Sequence, residues 1–335
     1  MATRDPQPIY RLTLTPQDLR TWAAPQFVEP NKAAIYEQCC RDGCQTEGEL
    51  HVSRWPTIDE TVTSNGKVTE VFPRSGGFAY APADNRTAAW HANFANWDLF
   101  SLYADGPFAQ DEIQALEHPA LGGVREALLA RELSTLVTDD GPQGPTPTPF
   151  TIAGVQRRAA IDTAPRDDDR WPHGLYGQDF WLAPEDVALE ATTILDPPTI
   201  SNIVAMEAPA MGRGRYSPGE IRFVLLAAAS AFIAARVESQ RLWPGRAVEV
   251  HTGHWGCGAY GGNPALTGAA QLLAARLAGL DRLVFWNLDP AAEANFKAAR
   301  EATDLVLREA PDVALIDAVT LLDGFGFRWG ASDGN

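Results

Sequence analysis

Two stretches of this chain hold residue types whose spacing could do chemistry. The first, Thr252-Gly253-His254-Trp255-Gly256-Cys257-Gly258-Ala259-Tyr260-Gly261-Gly262, places five glycines in eleven residues. It follows an apolar stretch, Ala247 to Val250, with the character of a buried strand. It precedes Asn263-Pro264, an N-cap and first helical position, and an alanine/leucine-rich helix reaching Leu280. Strand, glycine loop and helix N-terminus form the arrangement that cradles a phosphate, because glycines let the backbone approach and unpaired N–H groups meet the charge. A turn with no ligand is the competing explanation, although five glycines exceed what a turn requires. The second stretch, Gln110-Asp111-Glu112, sets two adjacent carboxylates at a helix start. Cleaving a glycosidic bond at an anomeric carbon needs one acid to protonate the leaving group and a positioned water. Two acids in a partly desolvated cleft raise one another's pKa, which keeps a general acid protonated near neutrality. The same pair would also complement a helix dipole with no catalytic role.

Gly256-x-Gly258-x-x-Gly261 satisfies the dinucleotide fingerprint, with Asp281 at the spacing of its ribose-binding acid. That reading conflicts with position, since such a domain normally opens with this loop and here it follows about three quarters of the chain. Four cysteines are present. Cys39, Cys40 and Cys44 lack a second ligand pair at zinc spacing and read as reduced thiols at a helix end, so no metal is expected. Cys257 reads as small-residue packing under the glycine loop. No cofactor is expected.

The elements that must position these residues follow from apolar periodicity. After about residue 88, strands and helices alternate. Strands are expected at Trp90 to Phe94, Phe150 to Val155, Ile203 to Met206, Ala247 to Val250, Leu283 to Trp286 and Val313 to Val319. Helices are expected from Gln110 to Leu136 with a break near His118-Pro119, from the capping box Ser217-Pro218-Gly219-Glu220 to about Gln240, and from Pro290 to Ala310. Asp139 to Pro149 reads as a Gly/Pro/Thr-rich connector and Arg166 to Pro184 as a charged excursion. The alternation implies an α/β sandwich with helices on both sheet faces. Residues 1 to 85 lack the rhythm, carry turn signals at Ser64-Asn65-Gly66 and Ser75-Gly76-Gly77, and read as an accessory segment packed on a main domain of residues 86–335.

A hydrophobic content of 45% excludes wholesale disorder, and a formal charge of −16 argues against charge-driven binding to nucleic acid or anionic membrane. The longest uncharged apolar run, Phe223 to Ala235, is too short to span a bilayer. The opening residues hold no apolar signal core, so a cytoplasmic protein is expected.

Thr252 to Gly262 resembles the TG-x-WGCGA-[FY]-GG loop of poly(ADP-ribose) glycohydrolases, which are elaborated macrodomains. The similarity continues to Leu283-Val284-Phe285-Trp286-Asn287-Leu288-Asp289, where that family has a strand ending in aromatics and aspartate. Upstream, Asn93-Phe94-Ala95-Asn96 resembles the family's D-F-A-N, and Gln110-Asp111-Glu112 falls where it has Q-E-E, at the same interval. The resemblance runs from about residue 70 to 290. It implies a macrodomain-like three-layer α/β/α sandwich with a mixed sheet and an N-terminal accessory segment. It also implies ADP-ribose or ADP-ribosylated protein as partner, Glu112 as the catalytic acid/base and Asp111 as the acid that contacts the distal ribose. Ligand contacts are implied for Asn93, Asn96, Gln110, Thr252, Gly253, His254, Trp255, Gly256, Cys257, Gly258, Ala259, Tyr260, Gly261 and Phe285.

Several positions depart from the family pattern. Phe100-Ser101-Leu102 stand where the family has three glycines that let the backbone wrap a diphosphate, and side chains there are expected to obstruct that approach. Ile161 falls at the adenine-stacking tyrosine, Asp111 replaces a glutamate and His254 an asparagine. Three functions remain open: a glycohydrolase acting on ADP-ribose linked to a protein or other acceptor, a macrodomain that binds ADP-ribose or a related nucleotide without turnover, and a hydrolase or transferase on another nucleoside-type glycoside.

Overall fold

A mixed sheet of eight strands, in the order β1-β2-β7-β8-β4-β9-β10-β3, carries every element of the candidate site. The computed structural model describes residues 5–58, 67, 69–81, 84–141, 144–166, 170–312 and 314–334. The strands are β1 (Tyr10–Leu14), β2 (Leu50–Arg54), β3 (Glu70–Ser75), β4 (Thr87–Phe94), β5 (Thr138–Gly141), β6 (Gly144–Pro147), β7 (Phe150–Ile161), β8 (Thr192–Met206), β9 (Ala247–Thr252) and β10 (Arg282–Asn287). The helices are α1 (Pro16–Thr21), α2 (Pro30–Cys39), α3 (Gln110–Glu117), α4 (Ala120–Ala130), α5 (Gln178–Leu182), α6 (Glu185–Glu190), α7 (Pro218–Leu242), α8 (Pro264–Ala278), α9 (Pro290–Glu309) and α10 (Leu315–Asp323).

From β8 to β3 all pairings are parallel, while β1, β2, β7 and β8 pair antiparallel. Strand β4 shows how period-2 alternation builds the layers. Trp90 and Ala92 face a core made with α7 and α8, where the Trp90 indole donates to Ser239 Oγ at 2.7 Å. His91 and Asn93 face the opposite layer, which holds α3. Helix α7 is apolar on nearly every side from Ile221 to Ala235 and is correspondingly buried. The expected three-layer α/β/α sandwich with a mixed sheet is present.

Where capping decides an element, the structure agrees with the sequence. Ser217 and Glu220 cap α7 reciprocally, Asn263 caps α8 through the amides of Ala265 and Leu266, and the first helical stretch breaks at His118-Pro119. That stretch ends at Ala130 rather than Leu136. Two further expectations are corrected. The last strand expected at Val313 to Val319 is instead α10: Leu315, Ala318, Val319 and Leu322 are buried at helical spacing, and a short apolar run does not distinguish strand from helix. Residue 313 lies outside the described residues, as does the Ser64-Asn65-Gly66 signal. The Asp139–Pro149 connector contains the β5–β6 hairpin. Residues 1–85 supply three strands of the main sheet, with β1 at one edge and β3 at the other. Asp281 bridges Lys67 at 2.8 Å and accepts the Val248 amide at 2.8 Å. It therefore pins the ends of β9 and β10 remote from the glycine loop, which removes it as a ribose-binding acid.

Helix α3 is tied to the sheet by an ion pair. Arg157 on β7 makes two bonds of 3.0 Å to the Glu117 carboxylate, which also accepts the Ile161 amide. Glu117 is buried, so removing its partner leaves an uncompensated charge. Arg157→Met is expected to cost about 3–5 kcal/mol of stability, measured by urea denaturation. A loss below about 1 kcal/mol would show that Glu117 is solvated.

Candidate functional site

The carboxyl ends of β4, β8, β9 and β10 meet at one edge of the sheet, the edge at which open α/β sheets bind ligands. The loop after β4 and the glycine loop after β9 come from adjacent strands and enclose the site between them.

The first half of the site is a docking of α3 onto β4. Gln110 Oε1 accepts the Phe94 amide at 2.8 Å and its Nε2 donates to Ala92 O at 3.2 Å. Asp111 accepts Asn93 Nδ2 at 2.9 Å and the backbone amide of Asn96. Glu112 points elsewhere, its Oε2 accepting the Ala109 amide at 2.9 Å. The two neighbouring acids thus diverge, one held by strand-end amides and the other at the helix entrance. Both are buried. Burial raises the Asp111 carboxyl despite its hydrogen bonds. Burial, reinforced by the charge of Asp111, pushes Glu112 up to about 7. Asn93 Oδ1 is buried without a hydrogen-bond partner among the described residues. Asn96 is half-buried at the rim.

A lysine that the sequence did not single out completes this half. Lys32 on α2 is fully buried, and its Nζ donates to the carbonyls of Leu102 (3.1 Å), Asp105 (2.7 Å) and Pro107 (3.3 Å). Burial lowers its pKa, and Glu112 is the foremost of the acids that oppose this. The ammonium therefore organises the loop that replaces the triple glycine and supplies the acid pair with a counter-charge. Phe100, at the first of those three positions, has φ of +52°. It adopts the left-handed conformation that glycine takes without strain. Its side chain is wholly buried in the core shared with α4, together with Tyr103. The expected obstruction by Phe100 is thus not seen, because the ring turns inward.

The glycine loop forms the second half. Gly256 (φ +72°) and Gly261 (φ +66°) occupy backbone conformations that demand glycine. Internal bonds use the amides of Trp255, Cys257, Gly261 and Gly262. The amides of Gly258, Ala259 and Tyr260 at the tip lie outside that network among the described residues. Tyr260 is half-buried at the tip, where its phenol is raised by burial and then by the charges of Glu207, Asp111 and Glu112. Loop and acid pair therefore face one another.

Several residues expected to contact ligand have side chains engaged within the fold. Trp255 is completely buried and its indole donates to Met206 O at 3.1 Å. Thr252 bonds the buried Gln271, which also donates to Gly253 O at 3.0 Å. Phe285 stacks on Phe296 with centroids 4.4 Å apart. Strand periodicity sends Thr252 and Phe285 to the α8–α9 layer, while Trp255 turns into the core from the loop. His254 Nε2 lies 3.2 Å from Asn287 Oδ1 and 3.0 Å from Ala292 O, which fixes its proton on that nitrogen, and burial keeps the ring neutral. Cys257 contacts Thr267 Oγ1 at 3.2 Å, and burial pushes its thiol up to about 12, so it is a packing residue rather than a nucleophile. Ile161 packs into the core beside α5 and α6 and presents no stacking surface. Cys39, Cys40 and Cys44 are buried free thiols. No group of metal-ligating residues occurs among the described residues.

Beyond Lys32, the structure adds Glu207 and Tyr176. Glu207 directly follows β8, and burial pushes its carboxyl up to about 7. Its place after a parallel strand was the signal that could have found it. Tyr176 brings its hydroxyl to the Gly258 side of the loop, and its phenol is raised by burial and then by Asp333 and Glu112.

Residues 176–295 match the family model described as Poly (ADP-ribose) glycohydrolase (PARG), Macro domain fold. No curated protein matches the chain. Among solved structures, the poly(ADP-ribose) glycohydrolase of Deinococcus radiodurans in complex with ADP-ribose is 13% identical, with 87% of this chain and 94% of that chain covered at a TM-score of 0.38. The apo form of the same enzyme is 13% identical, with coverage of 88% and 93% and a TM-score of 0.35.

The raised Glu112 carboxyl has a consequence for stability. Its ordinary value is 4.5 and its folded value about 7, so the native state binds the proton more tightly than the unfolded chain. Stability is therefore complete below about pH 4.5 and falls as pH rises to 7. Glu112→Gln should remove this slope and become the more stable protein at neutral pH, by on the order of 3 kcal/mol. Urea denaturation of both proteins between pH 4.5 and 8 checks this; parallel stability curves would mean that Glu112 ionises normally.

Proposed function

We propose that this chain, a PARG-like macrodomain family member through residues 176–295, hydrolyses the glycosidic bond between ADP-ribose and a protein or other acceptor, with Glu112 as general acid/base. The observation that carries this reading is the buried Asp111–Glu112 pair facing the glycine loop, with one acid held near neutrality in its protonated form. In the chemistry this supports, Glu112 gives its proton to the acceptor oxygen as the bond to the anomeric carbon breaks. The carboxylate left behind then takes a proton from the incoming water. Asp111, fixed by Asn93 and the Asn96 amide, orients a ribose hydroxyl. Gly258 to Tyr260 offer their amides to the diphosphate, and Tyr260 packs beside the reacting ribose.

In the same proposal, residues 86–335 carry the ADP-ribose chemistry while residues 1–85 contribute sheet edges and Lys32. A cytoplasmic setting fits four free thiols, and no described helix is long and apolar enough to cross a membrane. A second reading, a macrodomain that binds ADP-ribose without turnover, is favoured by one contact. The Glu112 carboxylate already caps its own helix through the Ala109 amide, an arrangement with no need of catalysis.

Turnover separates the two. On ADP-ribosylated protein, Glu112→Gln should lower the rate about 10²- to 10⁴-fold while ADP-ribose affinity, measured by calorimetry, stays within a few fold. Asp111→Asn should lose affinity as well as rate. An equally fast Glu112→Gln enzyme would remove Glu112 from the mechanism. ADP-ribose binding by a wild-type protein with no turnover would leave the binding-module reading in place.

A further inference from the structure

Residues 328–334 run back across the glycine loop. Trp329 anchors them: its ring stacks on Tyr216 with centroids 4.2 Å apart, its Nε1 donates to Glu220 Oε1 at 3.1 Å, and its amide donates to Gly214 O at 2.9 Å. Asn263, the cap of α8, donates from Nδ2 to Arg328 O at 2.8 Å. The Gly330 amide then bonds Gly261 O at 2.9 Å, and the Asp333 amide reaches Gly258 O at 3.4 Å. A Cβ built on Gly261 would stand 3.0 Å from the Ser332 amide nitrogen. One built on Gly258 would stand 2.8 Å from Asp333 Oδ2 and 3.7 Å from the Tyr176 hydroxyl. A carboxylate thus lies against the tip of the loop, on the side Tyr176 shares. Residues 331–334 are exposed, whereas Trp329 is anchored by its ring and by two hydrogen bonds, so the tail can leave the loop while the anchor stays.

We propose that Asp333 is a specificity-determining residue of the glycine-loop site, its carboxylate occupying the approach to Gly258 that an anionic ligand group must use. The inference rests on the loop being the diphosphate site, as in the proposed function. The Asp333 carboxylate and a diphosphate approaching the same loop tip carry like charges, which repel when brought together in a partly desolvated site. A diphosphate must therefore displace residues 331–334, whereas an uncharged nucleoside does not meet this penalty. The segment raises the affinity threshold for free diphosphates and leaves recognition of the sugar and base untouched.

The test is calorimetric titration of the full chain with ADP-ribose and, separately, adenosine, in wild type, Asp333→Asn and Asp333→Lys. Asp333→Asn keeps shape and removes charge, so ADP-ribose should bind about tenfold tighter or more, with a further gain for Asp333→Lys and less than about twofold change for adenosine. Hydrogen exchange at residues 331–334 should accelerate on adding ADP-ribose and not on adding adenosine. Equal ADP-ribose affinity in all three proteins would overturn the proposal while leaving the diphosphate site intact. If no variant binds ADP-ribose, the diphosphate reading itself fails and takes the inference with it, a result told apart from the former by the absence of any binding heat.

Discussion

The burial of two adjacent carboxylates is the constraint on which the site depends. An isolated carboxylate taken out of water must find hydrogen-bond donors, a counter-charge or a proton. Asp111 and Glu112 use all three. Asp111 takes donors from Asn93 and Asn96, Glu112 takes the Ala109 amide and a proton near neutrality, and the Lys32 ammonium sits among the acids it offsets. Each solution recruits a different element: the end of β4, the entrance of α3 and, from far away in sequence, α2. The acid pair thus dictates that α3 dock at the carboxyl end of β4, and Gln110 clamps that docking through Phe94 and Ala92.

Adjacent placement of β4 and β9 then does the rest. The acid loop and the glycine loop leave neighbouring parallel strands in the same direction, so the two face one another without further adjustment. Beneath them the side chains are apolar and closely packed. Trp255 reaches under the loop to the end of β8, and Gln271 holds Thr252 and Gly253 from α8. A loop with two left-handed glycines is conformationally costly to order. Its anchoring by a buried indole and a buried amide is what makes its amides stand in fixed positions.

What was legible in the sequence was what is local. Strand, glycine loop, Asn263-Pro264 and helix are decided within a few residues, and so is the Ser217 capping box. The divergence of Asp111 and Glu112 follows from their adjacency at a helix start. Residues that act across the fold left no local trace. Lys32 meets its carbonyl partners 70 to 75 positions away, and Asp333 meets Gly258 from the far end of the chain. The inward packing of the Trp255 and Phe285 side chains is not legible either, because a motif marks importance without saying which face a side chain takes. Strand β3 escaped notice for a physical reason: it is an edge strand, almost wholly exposed and containing Pro73, and so lacks the apolar alternation of a half-buried strand.

Phe100 shows how burial can hold a backbone conformation that the residue type disfavours. Phe100 keeps a left-handed φ at some strain. The strain persists because the ring is buried among Leu99, Tyr103 and α4, and that burial offsets it. Immediately downstream, three carbonyls converge on Lys32. Convergent carbonyls form a cation site, and a cation site cannot also present a row of amides to a phosphate. On this side of the cleft the backbone is therefore committed to the buried ammonium, while the amides of Gly258 to Tyr260 lie outside the loop's internal bonds among the described residues. That asymmetry sets the Asp333 carboxylate against the stretch of loop whose amides stay outside the internal bonds among the described residues.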